Sequence, residues 1–272
     1  MDNQAVAIGF VASCPRTSKW FVNLLKKHDK KFRVVNFRQA QVIIYGPFSR
    51  KQLRFSPGPR TVYYTGENTR PQRRAHVNLT FDRTSLYNNI RLPLWLTYEF
   101  DKNLVLVPKK ADKFCCFVYS HEVRFRDEFC NKLSRYKRVD CGGGCLNNVG
   151  GRVKDKAQFQ RAYKFCIACE NSCYPGYCTE KILDAYKSNC IPIYMGSPTV
   201  HLDFNPETFI NANDFKSSDE LTRYIRRVDN DEDLYNSYMN KPIFSKYWLD
   251  IFNDPEQRFF ETICRTILDY KV

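Results

Sequence analysis

The stretch of this chain richest in chemistry runs from Tyr163 to Pro198, YKFCIACENSCYPGYCTEKILDAYKSNCIPIYMGSP. Thr179 has the side chain of a helix N-cap, and Glu180 and Lys181 follow it in the first turn. Ile182, Leu183 and Tyr186 then give an apolar face at helical spacing. A helix start offers free backbone N–H groups and the positive end of a dipole, which suits a diphosphate. Lys181 would add a point charge there, and Glu180 could hydrogen-bond sugar hydroxyls. An ordinary capped surface helix would carry the same residues, so spacing alone leaves both readings open.

The same segment holds Cys166, Cys169, Cys173 and Cys178. Four close thiols are a zinc candidate, but structural zinc sites favour paired Cys-x₂-Cys knuckles. Here the first two fall in an apolar strand and the other cysteines are scattered as widely. Buried hydrophobic cysteine is the expectation, with no metal.

These residues must be positioned by the elements around them, which alternate between short β-rich runs and helical segments, the pattern of α/β layers. The first half reads as strand 5–13, helix 17–28, strands 32–37 and 40–45, a turn at Ser56–Pro59, and strand 61–64. The mixed stretch 86–101 has no clear assignment. A strand at 104–107 precedes the polar Lys109-Lys110-Ala-Asp run, where the domain boundary is expected. Beyond it come strand 114–119, helix 123–136, strand 138–141, Gly142–Gly144 and strand 164–169. Helix 179–188, strand 191–195, helix 218–228 and a closing helix 255–270 complete the chain. The expected fold is α/β, with two Rossmann-like domains over 1–110 and 111–250 facing across a cleft, and a C-terminal helix over 251–272. Ligands in such sheets sit beyond the carboxyl ends of strands.

Tyr163, Lys164, Phe165, Glu170, Asn171, Tyr177, Thr179, Glu180, Lys181, Pro192, Ile193, Tyr194, Gly196 and Pro198 fall at a spacing that resembles the signature of the α1,3/α1,4-fucosyltransferases. Upstream, Tyr63-Tyr-Thr-Gly-Glu-Asn-Thr-Arg-Pro71 resembles the acceptor-domain loop of the bacterial members. Val123–Leu133 is similar, more loosely, to the donor-domain helix whose arginine grips the nucleotide diphosphate. That register selects Arg126, followed by Phe129 and Leu133, with Arg124 as competitor. Phe81-Asp82 and Leu92-Pro93-Leu94 also match, and the resemblance spans about Thr61 to Phe244. Cys169 and Met195 depart from it, standing where the family has an aromatic residue and commonly Trp.

The resemblance implies a GT-B type, inverting, metal-independent transferase that moves fucose from GDP-β-L-fucose to a sugar hydroxyl, with O3 of GlcNAc in a glycan as the expected acceptor. It needs no cofactor beyond that donor substrate. Glu67 would be the base that deprotonates the acceptor, at the end of a strand and after a glycine. A turn glutamate contacting backbone amides is the plainer alternative. Arg126, Lys181 and the helix start at Thr179 would stabilise the leaving diphosphate. Glu180 would lie near the fucose, with Asn171 and Tyr177 as further donor contacts. Asp229-Asn-Asp231 looks like a metal-binding Asp-x-Asp pattern, but it sits in an acidic link and reads as a solvated loop.

Composition sets the outer limits. The 272 residues are 43% hydrophobic and 15% aromatic, which excludes a disordered chain. Net charge is +14, a field that suits phosphate-bearing ligands and also nucleic acid. The basic residues lie in scattered pairs, no basic and aromatic residues interleave on one strand face, and a nucleic-acid-binding protein is the alternative from another class. A transferase using another sugar nucleotide is the alternative among enzymes. No stretch approaches the ~20 apolar residues of a membrane span. Asp2 precedes the apolar run 5–14, which reads as a strand rather than an export signal. A soluble, cytoplasmic protein is expected, in which the sequon at Asn78-Leu-Thr80 has no role.

Overall fold

Short runs of Val, Ile, Tyr and Phe become strands wherever both faces can be covered, and the structure, a computed structural model, has two such sets. It describes residues 5–11, 13–28, 30–49 and 58–269. The chain divides into one unit up to Tyr98 that also takes in the residues from Asp250 on, and a second unit, Glu99–Leu249. The boundary expected near residue 110 lies inside the second unit, and the closing helix belongs to the first.

The first unit holds β1 (Val6–Val11), β2 (Phe32–Val34), β3 (Val42–Tyr45), β4 (Arg60–Tyr64), β5 (Val77–Thr80) and β6 (Asn89–Arg91). They form one sheet in the order β2-β1-β3-β4-β5-β6, with every neighbouring pair parallel. Every residue of β3 and β5 is buried, as a parallel sheet covered on both faces requires. Between β1 and β2 runs α1 (Pro15–Lys27), whose Phe21, Leu24 and Leu25 are buried.

The expected strand 32–37 stops at Val34, because Asn36 accepts the Arg38 N–H and starts a 3₁₀ turn at Phe37–Gln39. β5 and β6 went unread, since Asn78, Thr80 and Asn89 break their apolar pattern. Much of the turn expected at Ser56–Pro59 lies outside the described residues, as do Ala12 of the first expected strand and Tyr270 of the closing helix.

The second unit runs β7 (Lys113–Phe117), α2 (Arg124–Ser134), β8 (Val139–Cys141), α3 (Lys156–Gln160), β9 (Tyr163–Cys169), α4 (Glu180–Lys187), β10 (Ile191–Met195), β11 (Ile210–Asn211), α5 (Ser218–Asn230) and α6 (Glu232–Asn236). Its sheet order is β11-β10-β9-β7-β8, again wholly parallel. β8 and β9 flank β7, so the order reverses between β7 and β9. Such a switch point opens a crevice at the carboxyl ends of the two strands.

The strand expected at 104–107 forms only a bridge from Val105 to Pro242. The Asn189 side chain clamps Val107 instead, accepting its N–H at 2.9 Å and donating to its carbonyl at 3.0 Å. α7 (Lys246–Asn253) and α8 (Arg258–Leu268) end the described chain. Ile263, Cys264 and Ile267 form the buried stripe of α8. Its Glu261 pairs with Lys30 and lies 3.3 Å from His28.

Candidate active site

At the switch point of the second sheet stands Tyr119, just past β7. Its hydroxyl donates to the Ile167 carbonyl at 2.9 Å and accepts the Cys169 N–H at 2.6 Å. The phenol therefore ties β7 to β9 where the strands end, and burial pushes its pKa well up. The loop after β8 closes on this point through glycine. A Cβ at Gly143 would stand 1.9 Å from the Tyr119 carbonyl oxygen, so no side chain fits.

The Tyr119 ring carries the Arg126 guanidinium, 3.8 Å from its centroid. Arg126 lies in the first turn of α2 and is only 1% exposed. Its Nη1 donates to Asn171 Oδ1 at 3.2 Å, and Nη2 donates to the His121 carbonyl. Among the described residues the one carboxylate paired with it is Asp127, which stays 3.9 Å from Nε. A buried cation held by neutral acceptors and an aromatic face is poorly compensated, and such a site favours an anion. Arg124 is different: its side chain is 91% exposed and tied to Glu128 at 2.8 Å.

From the end of β9 the chain passes Glu170 and Asn171 and reaches α4. Glu170 is fully buried. Its Oε1 accepts the Thr179 N–H at 2.7 Å, and its Oε2 accepts from Thr179 Oγ1 at 2.7 Å and Lys181 Nζ at 3.1 Å. Burial pushes the Glu170 carboxyl up, against the pull of Lys181 and the Thr179 donors. Burial alone would lower the Lys181 ammonium, but attraction to Glu170 and then Glu180 outweighs it and leaves that pKa raised.

The N-cap expected at Thr179 falls at that residue, but without the side-chain bond of a cap. The hydroxyl is spent on Glu170, which also answers the Thr179 N–H, so a carboxylate just past β9 closes the helix start. α4 buries Ile182, Leu183, Ala185 and Tyr186, the apolar face its spacing predicted, and leaves Lys187 exposed. Glu180 is partly buried, its Oε1 3.9 Å from Lys181 Nζ. Tyr177 is buried, and its N–H donates to the Tyr174 carbonyl at 3.0 Å.

The structure thus gathers Arg126 and Asn171 at the switch point, and Thr179, Glu180 and Lys181 around Glu170. Phe125, Glu128, Phe129 and Lys132 of α2 line a cleft of about 620 Å³ with Met195 and Ser218. Glu67 belongs to the first unit. It follows β4 and is exposed, its N–H donated to Thr65 Oγ1 at 3.0 Å. Among the described residues its carboxylate has no hydrogen bond or ion pair, unlike a turn glutamate bound to backbone amides. Gly66 is crowded by Leu94, whose Cδ1 would lie 2.5 Å from an added Cβ.

Sequence reasoning missed Tyr119 and the hub role of Glu170. Both follow the end of a strand at the switch point, and that position was the available signal. The solvated loop expected at Asp229–Asp231 is also corrected. The Asp229 side chain is 1% exposed and accepts from Lys137 Nζ and Lys164 Nζ, both at 3.1 Å. It accepts from Tyr136 as well, at 2.9 Å. A short acidic run looked solvated because its partners are distant in sequence.

Among the four clustered thiols, Cys166 and Cys169 are three residues apart on β9 and so point to opposite faces. Cys178 is buried, while Cys173 is exposed. Among the described residues no group of three or more His, Cys, Asp or Glu is arranged to hold a metal ion. Asn78 is fully buried, its amide donating to Gln72 and Tyr87 carbonyls at 3.2 and 2.7 Å, so its sequon is closed to modification in the folded chain.

Two doubly wound parallel sheets, one with a buried cation at its switch point, define an α/β protein of the Rossmann-like class. The chain belongs to glycosyltransferase family 10, the fucosyltransferases, whose C-terminal model matches residues 107–268. The N-terminal domain model of α-(1,3)-fucosyltransferase FucT matches residues 8–98. The Helicobacter pylori α-(1,3)-fucosyltransferase FucT is 43% identical over 123 residues, 45% of this chain and 26% of that protein. The mouse 4-galactosyl-N-acetylglucosaminide 3-α-L-fucosyltransferase 9 is 30% identical over 194 residues, covering 69% of this chain and 50% of that one. Human GDP-fucose protein O-fucosyltransferase 3 is 36% identical over 42% of this chain and 26% of its own length. The matches therefore cover a quarter to half of these relatives. Crystal structures of an α1,3-fucosyltransferase show the same fold. The form with GDP is 25% identical with a TM-score of 0.78, over 99% of this chain and 92% of that one. The form with GDP-fucose has a TM-score of 0.76 at 24% identity, over 100% and 93%. No helix among the described residues is long and apolar enough to cross a membrane.

Proposed function

We propose that the chain is an inverting α1,3-fucosyltransferase that moves L-fucose from GDP-β-L-fucose to a sugar hydroxyl, with O3 of a glycan GlcNAc as the acceptor. The observation that carries this reading is the buried Arg126, stacked on Tyr119 at the carboxyl end of β7, beside Asn171 and 1% exposed. The second unit is the donor unit in this reading and the first the acceptor unit of a GT-B type transferase.

In the proposed reaction Glu67 takes the acceptor proton as the hydroxyl oxygen attacks the anomeric carbon. The bond from that carbon to the diphosphate breaks, and the electron pair leaves with GDP. One in-line displacement inverts the centre, so one base suffices. Arg126 and Lys181 meet the growing diphosphate charge, the work a divalent cation does elsewhere. Glu180 orients fucose hydroxyls, and Asn171, Tyr177 and Thr179 complete the donor pocket. The cleft lined by Phe125 and Met195 is of a size that suits the nucleoside.

The test is GDP release from GDP-fucose in EDTA, with a panel of GlcNAc-bearing glycans. Likeness to a protein O-fucosyltransferase adds protein acceptors to that panel. Wild type should turn over, and Glu67→Ala should lose ~10²–10⁴ in acceptor-dependent rate while still binding GDP. A wild type that binds neither GDP nor GDP-fucose by calorimetry sinks the reading. Preference for another sugar nucleotide would keep the fold assignment and replace the donor.

A further inference from the structure

We propose that Glu170 is a positioning residue for the donor site: its buried carboxylate fixes the Lys181 ammonium and closes the start of α4, so that Lys181 meets a leaving diphosphate in one place. The inference rests on the transferase reading above and deepens it.

Glu170 is fully buried and accepts three hydrogen bonds, two of them from Thr179 and one from Lys181. The protein makes room for this carboxylate. A Cβ at Gly196 would come within 2.5 Å of Glu170 Cγ, and the Glu170 N–H is held by the Met195 carbonyl at 2.7 Å. Packing alone does not ask for a charge here, because apolar residues of similar volume often replace buried ion pairs at no loss of stability. What the charge does is hold an ammonium.

That ammonium has three donors. One goes to Glu170 Oε2 at 3.1 Å and one to Thr179 Oγ1 at 2.9 Å. Glu180 Oε1, at 3.9 Å, is too far for a hydrogen bond. The third donor has no partner among the described residues and is available to a phosphate oxygen. Of the charges acting on Lys181, Glu170 and Glu180 hold its proton on and Arg126 opposes them. Removing Glu170 leaves a buried lysine that loses its anchor and holds its proton less firmly.

The experiment pairs chemistry on Lys181 with kinetics. Acetic anhydride competition labelling, read by mass spectrometry across pH, compares Lys181 with the exposed Lys216 in wild type and Glu170→Gln. Lys181 should be the slower to react in wild type and become several-fold faster in the variant. Kinetics of E170Q, Lys181→Met and the double variant should show kcat for GDP-fucose falling by up to ~10², the scale of about 1 Å of misplacement, with less change in KM. In the K181M background E170Q should then add almost nothing.

Labelling of wild-type Lys181 that tracks Lys216, or full multiplication of the two kinetic losses, overturns the proposal. The wild-type labelling decides even if E170Q does not fold. Because labelling reads the Glu170–Lys181 contact without any donor, a wild type that fails to bind GDP overturns the transferase reading, and with it the donor role, while leaving the contact measured.

Discussion

Arginine and lysine differ most where a flat, delocalised cation lies on a ring, and Arg126 is such a case. Its guanidinium lies 3.8 Å from the Tyr119 centroid while Nη1 and Nη2 reach Asn171 and His121. Lysine keeps the charge and loses both the stack and the fork. Arg126→Lys should weaken GDP binding by about 2 kcal/mol, the scale of a desolvated cation–π contact, as read by calorimetry. Tyr119→Phe probes the support beneath it. That change removes the hydroxyl and strands the Cys169 N–H and the Ile167 carbonyl, which both bond to it. About 2 kcal/mol of stability should go, given ~1–3 for a buried orphan. Urea unfolding measures that loss, and GDP affinity should suffer less than in Arg126→Lys because the ring remains.

At the scale of elements, buried carboxylates join pieces that are far apart in the chain. Asp229, near the end of α5, binds Lys164 of β9 and also Lys137 and Tyr136, which follow α2. Burial alone would raise its pKa, but hydrogen bonds from Lys164, Lys137 and Tyr136 outweigh that and hold it below 3.8. A depressed carboxylate contributes stability above its unfolded value and loses it as pH falls through the folded one. Thermal stability should therefore drop as pH falls below about 3.8, and Asp229→Asn should flatten that part of the curve. At neutral pH the same substitution should cost about 2 kcal/mol, the scale of charge-assisted hydrogen bonds lost between a buried carboxylate and two partly exposed lysines. A variant whose acid limb matches wild type would assign the acid sensitivity elsewhere, with Asp140 and its partners Lys113, Arg138 and Tyr163 the next candidate.

The whole molecule carries a net charge of +14, and a dianionic or trianionic nucleotide approaches it through that field. On the proposed function, GDP at 100 times its Kd should stabilise the fold by about 2.7 kcal/mol, visible as a rise in Tm. Raising salt should shrink that gain through screening, and EDTA should leave it unchanged. Loss of the shift in EDTA would mean that a cation bridges protein and diphosphate. An equal shift at high and low salt would confine recognition to the buried groups around Arg126.

The sequence by itself determined that this is an α/β protein and where its strongest strands and helices lie. It also brought out the run from Tyr163 to Pro198, because parallel strands buried on both faces are written as continuous apolar runs. β10 falls where it was expected, and β9 extends one residue further. Local pattern could not show β5 and β6, whose Asn and Thr are satisfied by other segments, nor the bridge that replaces a strand at 104–107. Only the tertiary structure decided that Arg126, not Arg124, is buried beside Asn171, since both sit in the same first turn of α2 and differ only in which face meets the sheet. It alone gave Thr179 to Glu170 and buried Asp229. Each of these outcomes depends on residues 9 to 93 positions apart meeting in space, and no local spacing records such a meeting.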